Sequence, residues 1–128
     1  MPVFELRVAI TAGDYERLVR FYRDGLGLES GEQWSDHGHG QILHSGKGVL
    51  EILDTQHAAH VDELEVGQAI SGDIRFAFQV PDVHKAVANA RQYGATILSE
   101  PTLTPWNDLN ARIVSPDGMQ ITLFQRQF

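Results

Sequence analysis

The pattern of this chain runs twice, and that constrains its fold more than any other feature. A strand reading over 4–11, with Leu6, Val8 and Ile10 on one face and Glu5, Arg7 and Ala9 on the other, is followed by Asp14 as a helix cap. Tyr15, Leu18, Val19 and Tyr22 then keep the i, i+3, i+4, i+7 spacing of an amphipathic helix, which Gly25 is expected to close as its left-handed residue. Strands are expected over 28–34, 41–45 and 49–53, with a loop over 36–40 and a hairpin turn at 46–48. The order then restarts with a strand over 74–80 and a helix capped by Asp82. Val83, Ala86, Val87 and Ala90 form its apolar stripe, and Gly94 stops it. Strands over 95–98, 109–114 and 120–125 complete the second copy, with a loop over 101–107 and a turn at 116–118.

The caps Asp14 and Asp82 stand 68 positions apart, and the last-strand runs beginning at Leu50 and Ile121 stand 71 apart. A period this long, used twice, implies an internal duplication rather than a solenoid. The expected fold class is α+β: a single domain over 1–128, built from two tandem βαβββ modules at about 1–54 and 73–128. The segment between them, 54–73, carries little pattern and reads as a connection with room for a short helix around 58–64.

Composition removes several classes of function. Seventeen acidic residues against ten basic ones give a net charge of −7, which argues against nucleic-acid binding. That balance suits a neutral or cationic small ligand. No apolar run is long enough to span a membrane. The N-terminus lacks the basic-then-apolar pattern of a secretory leader, so the expected location is the cytoplasm. With no cysteine, the chain has no disulfides, zinc–thiolate sites or thiol nucleophile. Gly25-Leu-Gly27 is a helix end without the Lys-Ser/Thr of a phosphate loop, and no serine sits in a Gly-x-Ser-x-Gly elbow.

Three stretches carry a resemblance: Asp14-Tyr-Glu-Arg-Leu-Val-Arg-Phe-Tyr-Arg-Asp-Gly-Leu-Gly-Leu28, Phe76-Ala-Phe-Gln-Val-Pro-Asp-Val83, and Ser115-Pro-Asp-Gly118 followed by Ile121-Thr-Leu-Phe124. Through them, nearly the whole chain resembles the vicinal oxygen chelate superfamily, which includes glyoxalase I, extradiol dioxygenases, and fosfomycin- and bleomycin-resistance proteins. Pro105-Trp106 is similar to the bleomycin-binding branch. The resemblance implies curved sheets with their helices on the convex side, a cavity on the concave side, and a homodimer. In metal-dependent members it implies four side chains, from the first and last strands of both modules, holding a divalent ion.

Matched motif to motif, those four positions fall on Arg7, Glu51, Arg75 and Thr122. A guanidinium is always protonated and has no lone pair to give a metal. A one-residue slip substitutes Leu6 or Val8, and Ile74 or Phe76, none of them ligands. The expectation is therefore no metal and no cofactor. Two readings of the arginines stay open: a buried polar group in which both flank Glu51, or a local positive excess that holds a ligand's carboxylate, phenolate or phosphate.

Among the histidines, His37, His57 and His60 are expected in solvent, and His84 on a helix surface. His44 is placed at the cavity because the third strand of such modules lines it. Trp34 and Trp106 are candidate stacking surfaces for a flat ligand. The resulting expectation is a non-catalytic protein that binds or sequesters an aromatic metabolite or antibiotic through Arg7, Trp34, His44, Glu51, Arg75, Trp106 and Thr122. Its partners are expected to be that small molecule and a second copy of the chain, with no nucleic acid and no membrane. The rival is a lyase, isomerase or dioxygenase of the same superfamily that uses Glu51, with or without a metal.

Overall fold

In the computed structural model, which describes residues 2–116 and 118–127, the first strands of the two modules meet at the centre of one sheet. β1 (Glu5–Ala12) runs antiparallel to β5 (Ile74–Gln79), with Arg7 opposite Ala77 and Ala9 opposite Arg75. Each pairs in parallel with the last strand of its own module, β1 with β4 (Val49–Asp54) and β5 with β8 (Gln120–Arg126). With β2 (Glu29–Trp34), β3 (Gly40–His44), β6 (Thr96–Leu103) and β7 (Asp108–Val114), the order is β2-β3-β4-β1-β5-β8-β7-β6. The expected α+β architecture of two βαβββ units is what the structure shows.

Strand periodicity sorts side chains by chemistry. Leu50 and Ile52 of β4 meet α1 (Tyr15–Arg20), in a cluster with Ala12, Val19 and Leu43. Ala111, Ile113 and Leu123 meet Val83 and Val87 of α3 (Val83–Gln92). Both helices therefore cover the same sheet face, and Arg7, Glu51, Arg75 and Thr122 point to the other. Asp14 accepts from the Arg17 amide at 3.3 Å, and Asp82 from the Lys85 amide at 3.1 Å, as their cap roles require.

Several boundaries differ from expectation. The first helix widens into a π-helical turn over Phe21–Gly25, so its left-handed residue is Gly27 (φ +78°) rather than Gly25. β6 runs on to Leu103 through Pro101, which an edge strand tolerates. The turn expected at 116–118 includes Asp117, outside the described residues.

The connection between modules holds the helix expected around 58–64, but departs from expectation in its length and packing. It forms an eleven-residue helix, α2 (Thr55–Glu65), capped by Asp54, which accepts from the His57 amide at 2.8 Å. α2 lies against β4, β1 and β7, on the polar face of the sheet. Its buried residues are His57, Ala58, Val61, Asp62 and Glu65, a face with too little apolar character to read as amphipathic. Arg112 of β7 explains the acids. Its side chain is completely buried, and its guanidinium reaches Asp62 at 3.0 Å and Glu65 at 2.8 Å. Asn110 donates to the second Glu65 oxygen at 2.9 Å, and Gln120 and Ser71 also receive Arg112 at 3.0 Å. Asp62 further accepts the amides of Ile70 and Ser71 at 3.0 and 2.7 Å, so the chain leaving α2 is fixed too. No helix among the described residues is long and apolar enough to cross a membrane.

Burial pushes the Asp62 carboxyl up, but the Ser71 hydroxyl and amide and the Arg112 charge outweigh it and hold the group below its usual range. Its stabilising contribution is therefore present above the unfolded-state value of about 3.9 and lost as pH falls through and below it. Urea midpoints should fall with pH below about 4, and less steeply in Asp62→Asn. Arg112→Met strands two buried carboxylates and should cost about 3–5 kcal/mol, read as a lower urea midpoint with an unchanged slope.

Candidate functional site

Between α2 and the polar face of the sheet lies a cavity of about 360 Å³. Each strand contributes by its register. Glu51, Ala9 and Arg75 form one row across β4, β1 and β5. Arg7, Ala77 and Thr122 form the next across β1, β5 and β8. Each arginine thus lies beside an alanine, whose small side chain leaves room for it. Val61, Leu64 and Glu65 of α2 form the opposite wall.

The structure brings Arg7, Trp34, Glu51, Arg75, Trp106 and Thr122 onto this one cavity. His44 is not among its lining residues. It stands exposed at the far end of β3, its ring against Gly31, because periodicity fixes which face a residue takes and not how far along the strand the cavity extends.

The arginines do not flank Glu51 as a closed group. Arg7 turns back to Glu5, at 3.2 and 3.3 Å, and its guanidinium lies 5.1 Å from the centre of the Phe124 ring. Arg75, 7% exposed, donates to the Thr122 hydroxyl at 3.2 Å. Among the described residues, Glu51 makes no hydrogen bond or ion pair. The lining as a whole does not carry the positive excess of the alternative reading. Glu32, Asp36, Glu65 and Asp108 join Glu51 on the lining, against Arg7, Arg75 and Arg126. Glu65 is committed to Arg112, and Asp108 lies opposite Arg126 in the β7–β8 register. The unmatched charge is acidic and comes from Glu32, Asp36 and Glu51, all in the first module.

Asp108 was not singled out in the sequence, although it shares its strand face with Asn110 and Arg112. Burial pushes its carboxyl above the usual range, opposed by Arg126, Arg7 and a hydrogen bond from Trp106. His57 is buried rather than solvated, and His60 is half-buried; both line the cavity from α2. His37 and His84 are exposed, as expected.

The two tryptophans are held differently. Trp106, 45% exposed, projects from the connection between β6 and β7. Trp34 is half-buried, its ring 5.6 Å from His57, and its buried indole N–H has no partner among the described residues. The indole rests on the backbone of Gly40. A methyl group there would strike Nε1 and come within 2.6 Å of Cε2.

The four positions that the resemblance assigns to a metal do not fit a divalent ion. Arg7 and Arg75 offer only N–H donors, and Arg75 uses one of them on Thr122, leaving Glu51 as the only charged ligand. Among the described residues, no three His, Asp or Glu side chains gather as a metal cluster.

Comparison with known proteins places this geometry. The sequence model of the Glyoxalase/Bleomycin resistance protein/Dioxygenase superfamily matches residues 6–123. No curated protein matches. Among solved structures, a hypothetical protein from Bacillus halodurans C-125 is similar at TM-score 0.71 and 14% identity, covering 95% of this chain and 93% of its own. A superfamily member from Vibrio splendidus 12B01 is similar at TM-score 0.66 and 13% identity, covering 97% and 99%. Methylmalonyl-CoA epimerase from Mycobacterium tuberculosis is similar at TM-score 0.63 and 15% identity, covering 98% and 88%. At these identities the likeness is one of fold.

Gly40→Ala should push the Trp34 ring from its seat and cost about 1–3 kcal/mol as overpacking. In a Trp106→Phe background, where Trp34 is the only indole left, the emission maximum should move to longer wavelength.

Proposed function

As the chain belongs to the glyoxalase/bleomycin resistance protein/dioxygenase superfamily, we propose that it binds and sequesters a small flat molecule, an aromatic metabolite or an antibiotic, without a resident metal. The observation that carries this reading is that Trp34 and Trp106 border one partly enclosed cavity, with the acids Glu32, Asp36 and Glu51 on the same lining. At about 360 Å³ the cavity is large enough for a ring system. The tryptophans supply stacking area. Because the unmatched charge is acidic, the ligand that fits best carries a protonated amine or another strong hydrogen-bond donor, aimed at Glu51, Glu32 and Asp36. An anion would meet arginines already occupied by Glu5, Thr122 and the Phe124 ring. The same reading makes the protein a cytoplasmic homodimer that acts by affinity alone, as drug sequestration requires.

One feature favours a second reading. Glu51 is an uncommitted carboxylate in a partly enclosed cavity, which suits a metal-free isomerase or lyase that uses it as a proton acceptor.

Titrating the protein with planar aromatic amines, and with neutral and anionic rings of the same size, should quench tryptophan emission saturably for the amines alone. Trp106→Ala should weaken the best ligand by about tenfold, the scale of one lost aromatic contact. A quench that favours the anionic rings, or none with any compound, overturns the proposal. Glu51→Gln separates the two readings. Sequestration predicts weaker amine binding and no turnover in either protein, whereas the enzyme reading predicts turnover that the variant loses while ligand affinity is kept.

A further inference from the structure

One end of the cavity is closed by a group of histidines that the ligand reading leaves without a role. The connection between β2 and β3, residues 35–39, lies against the start of α2. The His37 and His60 rings stack with centroids 3.9 Å apart, and His57 stands 5.9 Å from His60. His57 Nδ1 lies 3.1 Å from the Asp36 carbonyl and 3.2 Å from that of His37. Both partners are acceptors, so Nδ1 carries the hydrogen and Nε2 is the nitrogen left to take a proton. Asp54, the cap of α2, also receives the His39 amide at 2.9 Å, which ties the connection to the helix a second time. Close packing leaves no slack. A methyl group on Gly38 would strike the Asp54 carboxylate and come within 2.7 Å of the His57 amide. Trp34, Asp36, His57 and His60 all line the cavity, so this contact is its wall.

We propose that His37, His57 and His60 form a proton-operated latch: neutral, they hold the 35–39 connection on α2, and protonated, they release it and open the Trp34 end of the cavity. The groups around them decide the sign. Asp36 is the acid beside His60 and can offset one added charge, not two or three. Asp54 offsets a charge on His39, whose Nδ1 is 3.2 Å away, so that imidazole does not drive opening. Tyr15 beside His39 is neutral in this range, and Glu32 lies on the same cavity from β2. Burial, with His37 and His57 close by, holds the His60 imidazole below its ordinary range. A base whose affinity for protons is lower in the docked form is docked more weakly as pH falls, so opening begins below about pH 6.5.

The latch is testable without any ligand, so its failure and that of the binding proposal are separable. Hydrogen exchange, corrected for intrinsic rate, should show the His39 and His57 amides losing protection about tenfold between about pH 7.5 and 5.5. The Lys85 amide, bonded to the analogous cap Asp82 in α3, should not change. His37→Asn with His60→Asn should keep His39 and His57 protected at the lower pH. His37→Asn alone, at an exposed position that folding tolerates, should move the transition to lower pH. Unchanged protection in the parent protein, an equal loss at Lys85, or the same loss in the variants each overturns the latch.

Discussion

A guanidinium with no contact to water must be met by anions, and Arg112 sets much of this architecture by that requirement. Its strand could satisfy it from neighbouring strands only in part, through Gln120 at 3.0 Å. The carboxylates come instead from Asp62 and Glu65, one turn apart on α2. That geometry fixes which face of the helix is turned to the sheet and where along β7 it sits. Breaking such a group is costly even where its net contribution to stability is small, so its main effect is positional. With α2 held there, the polar face of the sheet is enclosed as a cavity. Glu65 joins the two, since it receives Arg112 on one side and lines the cavity on the other.

The duplication explains the cavity floor and also why it is lopsided. Arg7 and Arg75 are equivalent by the repeat, as are Ala9 and Ala77, and the antiparallel register sets each arginine against the other strand's alanine. The last strands break the equivalence, with Glu51 in one module and Thr122 in the other. The second module matches its carboxylate, Asp108, with Arg126, which also lies over the Phe124 ring at 5.6 Å. Among the described residues, the first module leaves Glu32, Asp36 and Glu51 without such partners.

Much of this was legible because strands turn sequence into faces with a period of two. The alternation in 4–11 set Arg7 on the face opposite Leu6, Val8 and Ile10, and the family resemblance brought Glu51, Arg75 and Thr122 together with it. The same rule could not exclude His44, which has the right face and the wrong height. α2 is legible only as a short helix around 58–64, without its full length or its packed face, for a different reason. A helix announces itself by an apolar stripe, and the buried stripe of α2 is His57, Asp62 and Glu65 beside Ala58 and Val61. Its partner, Arg112, sits forty-seven positions beyond Glu65, and no local pattern ties them. His57 lies just before the expected helix, and it is buried because α2 begins at Thr55 and packs this face on the sheet.

Guanidiniums on a cavity floor constrain more than their own positions. An imidazole can be neutral, donate a lone pair and face an empty space, whereas a guanidinium keeps its charge and must be neutralised where it stands. Arg7 takes Glu5 and the Phe124 face, and Arg75 takes Thr122. Each arginine is thereby occupied, and the centre of the cavity becomes the least responsive part of it. On the proposed binding reading, discrimination between ligands then falls to groups the arginines do not engage: Glu51, the acids of β2 and its following connection, and the two tryptophans. On that reading, substitutions at Arg7, Arg75 and Thr122 act mainly through stability, and those at Glu51, Glu32, Asp36 and the tryptophans through the choice of ligand.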